Sequence, residues 1–596
     1  MTQKILAGRA EEGAALAGAV RVRVDQVVIA RDAARALTEA TRLGAKKAMP
    51  EVAVAYDPRC LTTTADPTAG RLAPAVAREL AQLGVLVGRP GVGFAAPVHL
   101  ERFASPARLA VTDEPRLAAI GGASTLALVV PPAQLAEALA TGWAWVRAPR
   151  TVQVLLAGRM RPFVSARDVA LELLRRGLEG VVERVDREAG APVVLEFVGP
   201  SARTLTVPER AVLCGLAPRV GAAAAVFLSD EKTEAFLRDQ RRSKAHRALV
   251  TDAGSPCDAT VTCDLSAVDP LVLDGAQIVA ARELGARPLA QVVLGGDIGA
   301  SLRDLLAAAA LLKSKRVGSK TELLLAPPSR LALEALAHSG ALADLVATGA
   351  RVIEPDDRLL AGELYPPPAE GLSLRTYDPE PGAPGEFAVA SAETLAYAVA
   401  NGGAGDPRSF KRPVRLTVPR TMPTDEVLLV RKGKSKTKIE GESPRGAAPE
   451  PSSQTTWSGR ARLVVGRPSA SPPADSAFIL GSLEEVRWVA DRAAALAPAL
   501  RAVVAEHIPA GAVPVLAGAG VLALTADAGT LERLRASTSL ELDVAGCTNG
   551  QRAIEARIGE GTARLDWLAV ESERQWTLAG AARGRAASAA KPPRGA

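Results

Sequence analysis

From Glu51 to about Arg408, apolar runs bounded by glycine or proline alternate with segments of helical period, and few folds accommodate that alternation. The runs VQVLLAG, PVVLEFVG, AAAVFLS, AQVVLGG, TELLLAPP and ARVIEP each precede or follow a helical segment. Short apolar strands interleaved with helices predict an α/β protein with mostly parallel sheets. Further along, ARLVVGRP, SAFILGS, LRAVVAEHI, GVLALTAD and TSLELDVAG are shorter strands with fewer helices between them. They predict a smaller, separate C-terminal domain.

A chain of 596 residues exceeds one hydrophobic core, and by the usual domain sizes it holds roughly three to five domains. The two strand-bearing regions are separated by RKGKSKTK and GESPRGAAPEPSSQTTWSG, a Pro, Ser and Gly stretch without apolar period that reads as a linker. The expected division is α/β domains over 1–408, a basic linker over 409–458, a compact domain over 459–582 and a small, basic, disordered tail over 583–596.

Part of the net charge of +7 sits in that linker, at Arg431, Lys432, Lys434, Lys436 and Lys438. Such a run reads as a solvated hinge rather than a binding surface. Only 3% of residues are aromatic, which further disfavours nucleic acid as a partner, because single strands are held on stacked aromatic rings. The start, MTQKILAGRAEEG, lacks the apolar core of a secretory signal, and no apolar run approaches the ~18 residues of a membrane span. A soluble, cytoplasmic protein without membrane contact is expected. Cys60, Cys214, Cys257, Cys263 and Cys547 are scattered and odd in number, as reduced thiols are.

Several segments, in order, resemble the aconitase and isopropylmalate dehydratase family. RTVQVLLAGRMRPFVSARDVALELL resembles its strand, Gly-Arg-Leu and Asp-opened helix, and CDLSAVDPLV resembles its Asp-Leu-Ser-x-x-Glu-Pro-Leu-Val. GGAGDPR is similar to the exit of its third domain, and DRAAALAPALRAVVAEHIPAGAVPVLAGAGVLALTAD to its swivelling domain. The resemblance implies three aconitase-like α/β domains plus a C-terminal swivelling domain. It implies a hydro-lyase reaction in which three cysteine thiolates hold a 4Fe-4S cluster and an open iron binds the substrate hydroxyl.

Set against that pattern, the chemistry-bearing residues are missing. VVLGGDIGAS and GARVIEPDDRLLAGE align with the cluster motifs, and Asp297, Asp357 and Leu360 stand where the three cysteines belong. Two carboxylates without a third donor make a weak site for a hard cation, so plain carboxylates are expected and no metal. Three proton-shuttling histidines are also absent. Their motifs read Asp57-Pro58, Gly91-Val92-Gly93-Phe94 and Asp113-Glu114-Pro115-Arg116, while Gly215 and Arg219 replace the family's Asn and Glu. The serine base of the swivelling domain aligns with Val489-Ala490-Asp491-Arg492, and of the family's paired arginines only Arg375 could sit nearby.

Three look-alikes carry less weight. GCTNGQR copies a cluster-binding sequence near the C-terminus, but Asn549-Gly550 is a hairpin-turn signal, so Cys547 reads as structural. GGDIGAS offers amides to an anion but places Asp297 in their midst, so a capped helix start at Ser301 or Asp297 is the plainer reading. GVG at 91–93 is too short for a dinucleotide fingerprint. His99, His246, His338 and His507 show no ligand spacing.

The expectation is a family homologue with no catalytic residues and no cluster. Its former cleft, lined by Asp113, Arg116, Arg219 and Arg375, would bind a carboxylate metabolite through arginine forks, or a protein partner. Two alternatives stay open: a hydro-lyase with altered chemistry using Asp57, Asp113, Asp297 or Asp357, and an RNA-binding relative.

Overall fold

The computed structural model describes residues 1–57, 59–60, 72–252, 254–285, 287–416, 418–419, 428–430, 458–468, 471–544, 552–559 and 561–578. The basic run at 431–438, most of the 409–458 linker, Cys547 with the Asn549-Gly550 turn, and the 583–596 tail lie outside the described residues.

Among the described residues three larger open sheets, an antiparallel pair of Ala19–Arg23 with Trp143–Arg147 and one closed sheet organise the chain, which is mixed α/β as the strand and helix alternation predicts. The first sheet runs Leu429–Val430, Leu86–Gly88, Val52–Tyr56, Gln26–Ile29, Arg108–Thr112, Thr125–Val129, parallel throughout apart from the antiparallel Leu429–Val430 at its edge. The second is fully parallel, in the order Ala224–Phe227, Val193–Val198, Arg150–Ala157, Ala259–Asp264. The third has a parallel core of Ala388–Ala390, Leu372–Arg375, Leu289–Gly295, Glu322–Ala326 and Arg351–Val352, with the hairpin of Leu271–Asp274 and Gln277–Ala280 closing one side.

These strands are continuous apolar runs because helices cover both faces of a parallel sheet. Val27, Val28, Ile29, Val193, Val194, Leu195, Val292 and Val293 are all fully buried, each contributing about 1.5–3 kcal/mol relative to exposure. Phe197 and Phe227 stack across neighbouring strands of the second sheet, centroids 4.5 Å apart.

Helix starts follow sequence signals. Ser165 caps Ala166–Arg175, Thr206 caps Val207–Cys214 and Ser301 caps Leu302–Leu312, each in a reciprocal box with the acid three residues on. Ser301 is therefore the cap of the helix after GGDIGAS, and Asp297 is free for another partner.

After the linker, seven strands close into a barrel in the order Ser458–Val465, Ser476–Ile479, Leu500–Ala505, Leu522–Thr525, Gly561–Trp567, Ala553–Ile558, Ser539–Asp543. It has its own core around Phe478, Val503, Leu524 and Trp567. The barrel docks on the sheet domains: Glu573 pairs with Arg147 and the Ala510 amide donates to Asp186 at 3.0 Å. Among the described residues no single helix is long and apolar enough to cross a membrane.

Candidate functional site: an arginine and aspartate cavity

The carboxyl ends of parallel strands are where an α/β sheet opens a crevice, and four of them converge here. Gln26–Ile29 leads into Arg31, Arg108–Thr112 into Asp113 and Arg116, Leu289–Gly295 into Asp297, and Leu372–Arg375 into Asp378. The helix Leu483–Asp491 of the barrel faces them with Arg487 and Asp491, and together they enclose a cavity of about 230 Å³.

Among the described residues its polar side chains are of two kinds only, seven arginines and five aspartates; every other lining residue is Gly, Ala, Val, Leu, Ile or Pro. Most of the charges satisfy one another. Arg116 donates to Asp297 at 2.8 Å and to the Asp378 carbonyl at 2.8 Å. Asp378 accepts from Arg167 at 2.6 Å and from Arg219 at 3.3 Å. Burial opposes ionisation of Asp378, but those two guanidiniums outweigh it and hold its carboxyl well below the usual range.

Arg31 joins three parts of the chain. It pairs with Glu114 at 2.9 Å, with Glu380 at 3.2 Å and with Asp491 of the barrel at 3.8 Å. Arg492, next along, reaches Glu380 at 3.5 Å. Asp113 lines the cavity, but its carboxylate accepts the amides of Ala30, Arg31 and Asp32 at 2.7, 3.1 and 2.9 Å. Its work is to fix the Arg31 loop. Burial still raises its pKa against those three bonds.

Of the residues expected here, Asp113, Arg116 and Arg219 share the cavity. Arg375 does not, which corrects that expectation: it is fully buried within the third sheet domain, away from the lining residues. Its guanidinium donates to the Tyr377 hydroxyl at 2.7 Å, the Tyr365 carbonyl at 2.7 Å and Gln291 at 3.1 Å, and lies over the Phe387 ring. Four of its five N–H groups are taken up by this local network and by Ser373, and the side chain does not reach the cavity. Arg31, Arg167, Asp378 and Arg487 were not singled out from the sequence. For Arg31 and Asp378 the signal was available, since each follows the end of a parallel strand.

A family model described as the aconitase family (aconitate hydratase) matches residues 73–288. A 3-isopropylmalate dehydratase large subunit of Archaeoglobus fulgidus is 28% identical over 339 residues, 55% of this chain and 79% of that protein. Large subunits of the same name from Thermotoga maritima and Elusimicrobium minutum are 26% identical over 341 and 279 residues, covering 55% and 46% of this chain and 79% and 64% of theirs. Over these stretches the chain is similar to the aconitase and isopropylmalate dehydratase family. It is a family of hydro-lyases.

Asp297, Asp357 and Leu360, the positions that the sequence resemblance sets against cluster cysteines, each have a local role in this structure. Asp297, 4% exposed, is the partner of Arg116. Leu360 packs with Phe94, Val293, Leu324 and Tyr377 in an apolar cluster. Burial, with Glu114 and Glu380 adding to it, pushes the Asp357 carboxyl well above the usual range.

No described cysteine lines the cavity. Cys214 and Cys263 are buried in the core, and Cys257 sits beside Thr260. Cys60 lies against the loop that carries Asp357, its amide donating to Asp356 and its thiol to Glu354. Among the described residues no three His, Cys, Asp or Glu side chains converge as a metal-ligand set. One nearby thiol and a paired aspartate do not fit a cluster held by three thiolates.

Proposed function

We propose that this member of the hydro-lyase family works without a 4Fe-4S cluster and without hydro-lyase activity, and that its cavity binds a carboxylate metabolite. The observation that carries this reading is the lining itself, whose polar side chains are arginines and aspartates alone. Moving a carbon-bound proton and expelling a hydroxyl near neutral pH calls for a positioned acid and base. Imidazole, hydroxyl and thiol are all lacking from that lining. The aspartates are spoken for: Asp297, Asp378 and Asp491 by guanidiniums, Asp32 and Asp113 by backbone amides.

Arginine suits carboxylates through its planar fork, and walls that are apolar between the charged groups strengthen the pairing. A cytoplasmic location is part of the same reading, as it suits a metabolite ligand and free thiols. The test is a screen of the full chain against a panel of metabolite carboxylates by thermal shift and calorimetry, repeated with Arg219→Ala and with Arg487→Ala. Binding that weakens about tenfold in either variant supports the reading. Binding equal in all three proteins for every carboxylate removes the arginine cavity as the site.

A further inference from the structure

Six of the seven arginines that line the cavity are occupied within the protein. Arg31 pairs with Glu114, Arg116 with Asp297, Arg147 with Glu573, and Arg167 and Arg219 share Asp378, while Arg35 donates to the Gly518 carbonyl. Arg487 is different. It projects from the barrel helix into the same cavity and has no hydrogen bond and no ion pair among the described residues.

Burial, with Arg219 and Arg116 adding to it against Asp491 and Asp378, pulls the Arg487 guanidinium down to about 10. A half-buried cation whose neighbours are already matched is costly to the free protein, and an incoming anion removes that cost. One spare cation matches one acidic group. A second ligand carboxylate would face Asp297, Asp378 or Asp491, and like charges at close range oppose binding.

We propose that the cavity selects an amphipathic monoanion, a small carboxylate with one acidic group and an apolar body, whose acid rests on Arg487. The inference builds on the carboxylate reading above and narrows it. Arg487 sets the ligand's charge, and walls such as Val212, Ile298 and Val515 hold its body.

The test is isothermal titration of the full chain with isocaproate, isobutylsuccinate and tricarballylate, which add acidic groups one at a time. Isocaproate is expected to bind at least about fivefold tighter than either of the others. Arg487→Met keeps the apolar stem, and it is expected to lose isocaproate binding by about tenfold or more while raising the thermal midpoint, because an unpaired buried charge has been removed. Tighter binding of isobutylsuccinate or tricarballylate overturns the monoanion and leaves the carboxylate reading standing. A lowered midpoint in Arg487→Met, or unchanged isocaproate affinity, overturns the role of Arg487. Absence of binding by all three overturns the inference together with the carboxylate reading, and leaves the cluster question to its own measurement.

Discussion

Arg116 Nη1 lies 2.8 Å from Asp297 Oδ2, across 181 residues of sequence. Arg116 follows the first sheet's Arg108–Thr112 and Asp297 follows the third sheet's Leu289–Gly295, so this pair ties two sheets together at the floor of the cavity. Asp297 is the position that the sequence resemblance sets against a cluster cysteine, and here its carboxylate is held by a guanidinium. Burial opposes ionisation of Arg116, but Asp297, Glu380 and Glu114 raise its pKa.

Breaking that pair leaves a buried charge without its partner. Asp297→Ala is expected to lower stability by about 3–5 kcal/mol, whereas the double substitution Arg116→Met with Asp297→Leu is expected to be near neutral or stabilising. Urea denaturation of the three proteins measures this, and equal losses in single and double variants would show that the pair is not the source of the effect.

Arg31 holds Glu114, Glu380 and Asp491 together. Arg31→Ala leaves three carboxyls of like charge at one junction, so the barrel is expected to loosen from the sheets. Hydrogen exchange of the helix Leu483–Asp491 reads it out: protection should fall in the variant while the barrel strand Leu500–Ala505 keeps its own.

His99 is fully buried, its Nε2 2.9 Å from Gln26 Oε1 and its Nδ1 3.3 Å from the Tyr56 hydroxyl. Burial, with Arg242 adding to it, pulls its pKa down from 6.5 to about 3. A depressed histidine is neutral in the fold and protonated when unfolded, so its contribution is complete above pH 6.5 and lost as pH falls toward 3. His99→Gln is expected to shed acid sensitivity on the order of a few kcal/mol between pH 7 and pH 4 relative to the unsubstituted chain. Chemical denaturation at the two pH values checks it, and parallel losses in both proteins would assign the acid sensitivity elsewhere.

The layered α/β character was legible because strands such as Val193–Val198 and Leu289–Gly295 are continuous apolar runs with clear stops. The cavity was legible in part. Asp113, Arg116 and Arg219 were found through local motifs, but nothing local marks Arg116 as the partner of a residue 181 positions away. Arg375 was misplaced because its strand buries the side chain in a network with Tyr377 and Gln291 that sequence spacing does not reveal. Arg487 escaped notice for the opposite reason: on a helix, a lone arginine reads as solvent-facing until the docked barrel turns it toward the cavity.

The most direct measurement of the account is anaerobic purification with iron and sulfide supplied, followed by iron quantification, the visible spectrum and a hydration assay with aconitate and isopropylmaleate. The account predicts a colourless protein with trace iron and no hydration. A brown protein with stoichiometric iron that hydrates either substrate would contradict it, and would mean that cysteines elsewhere in the chain supply the ligands.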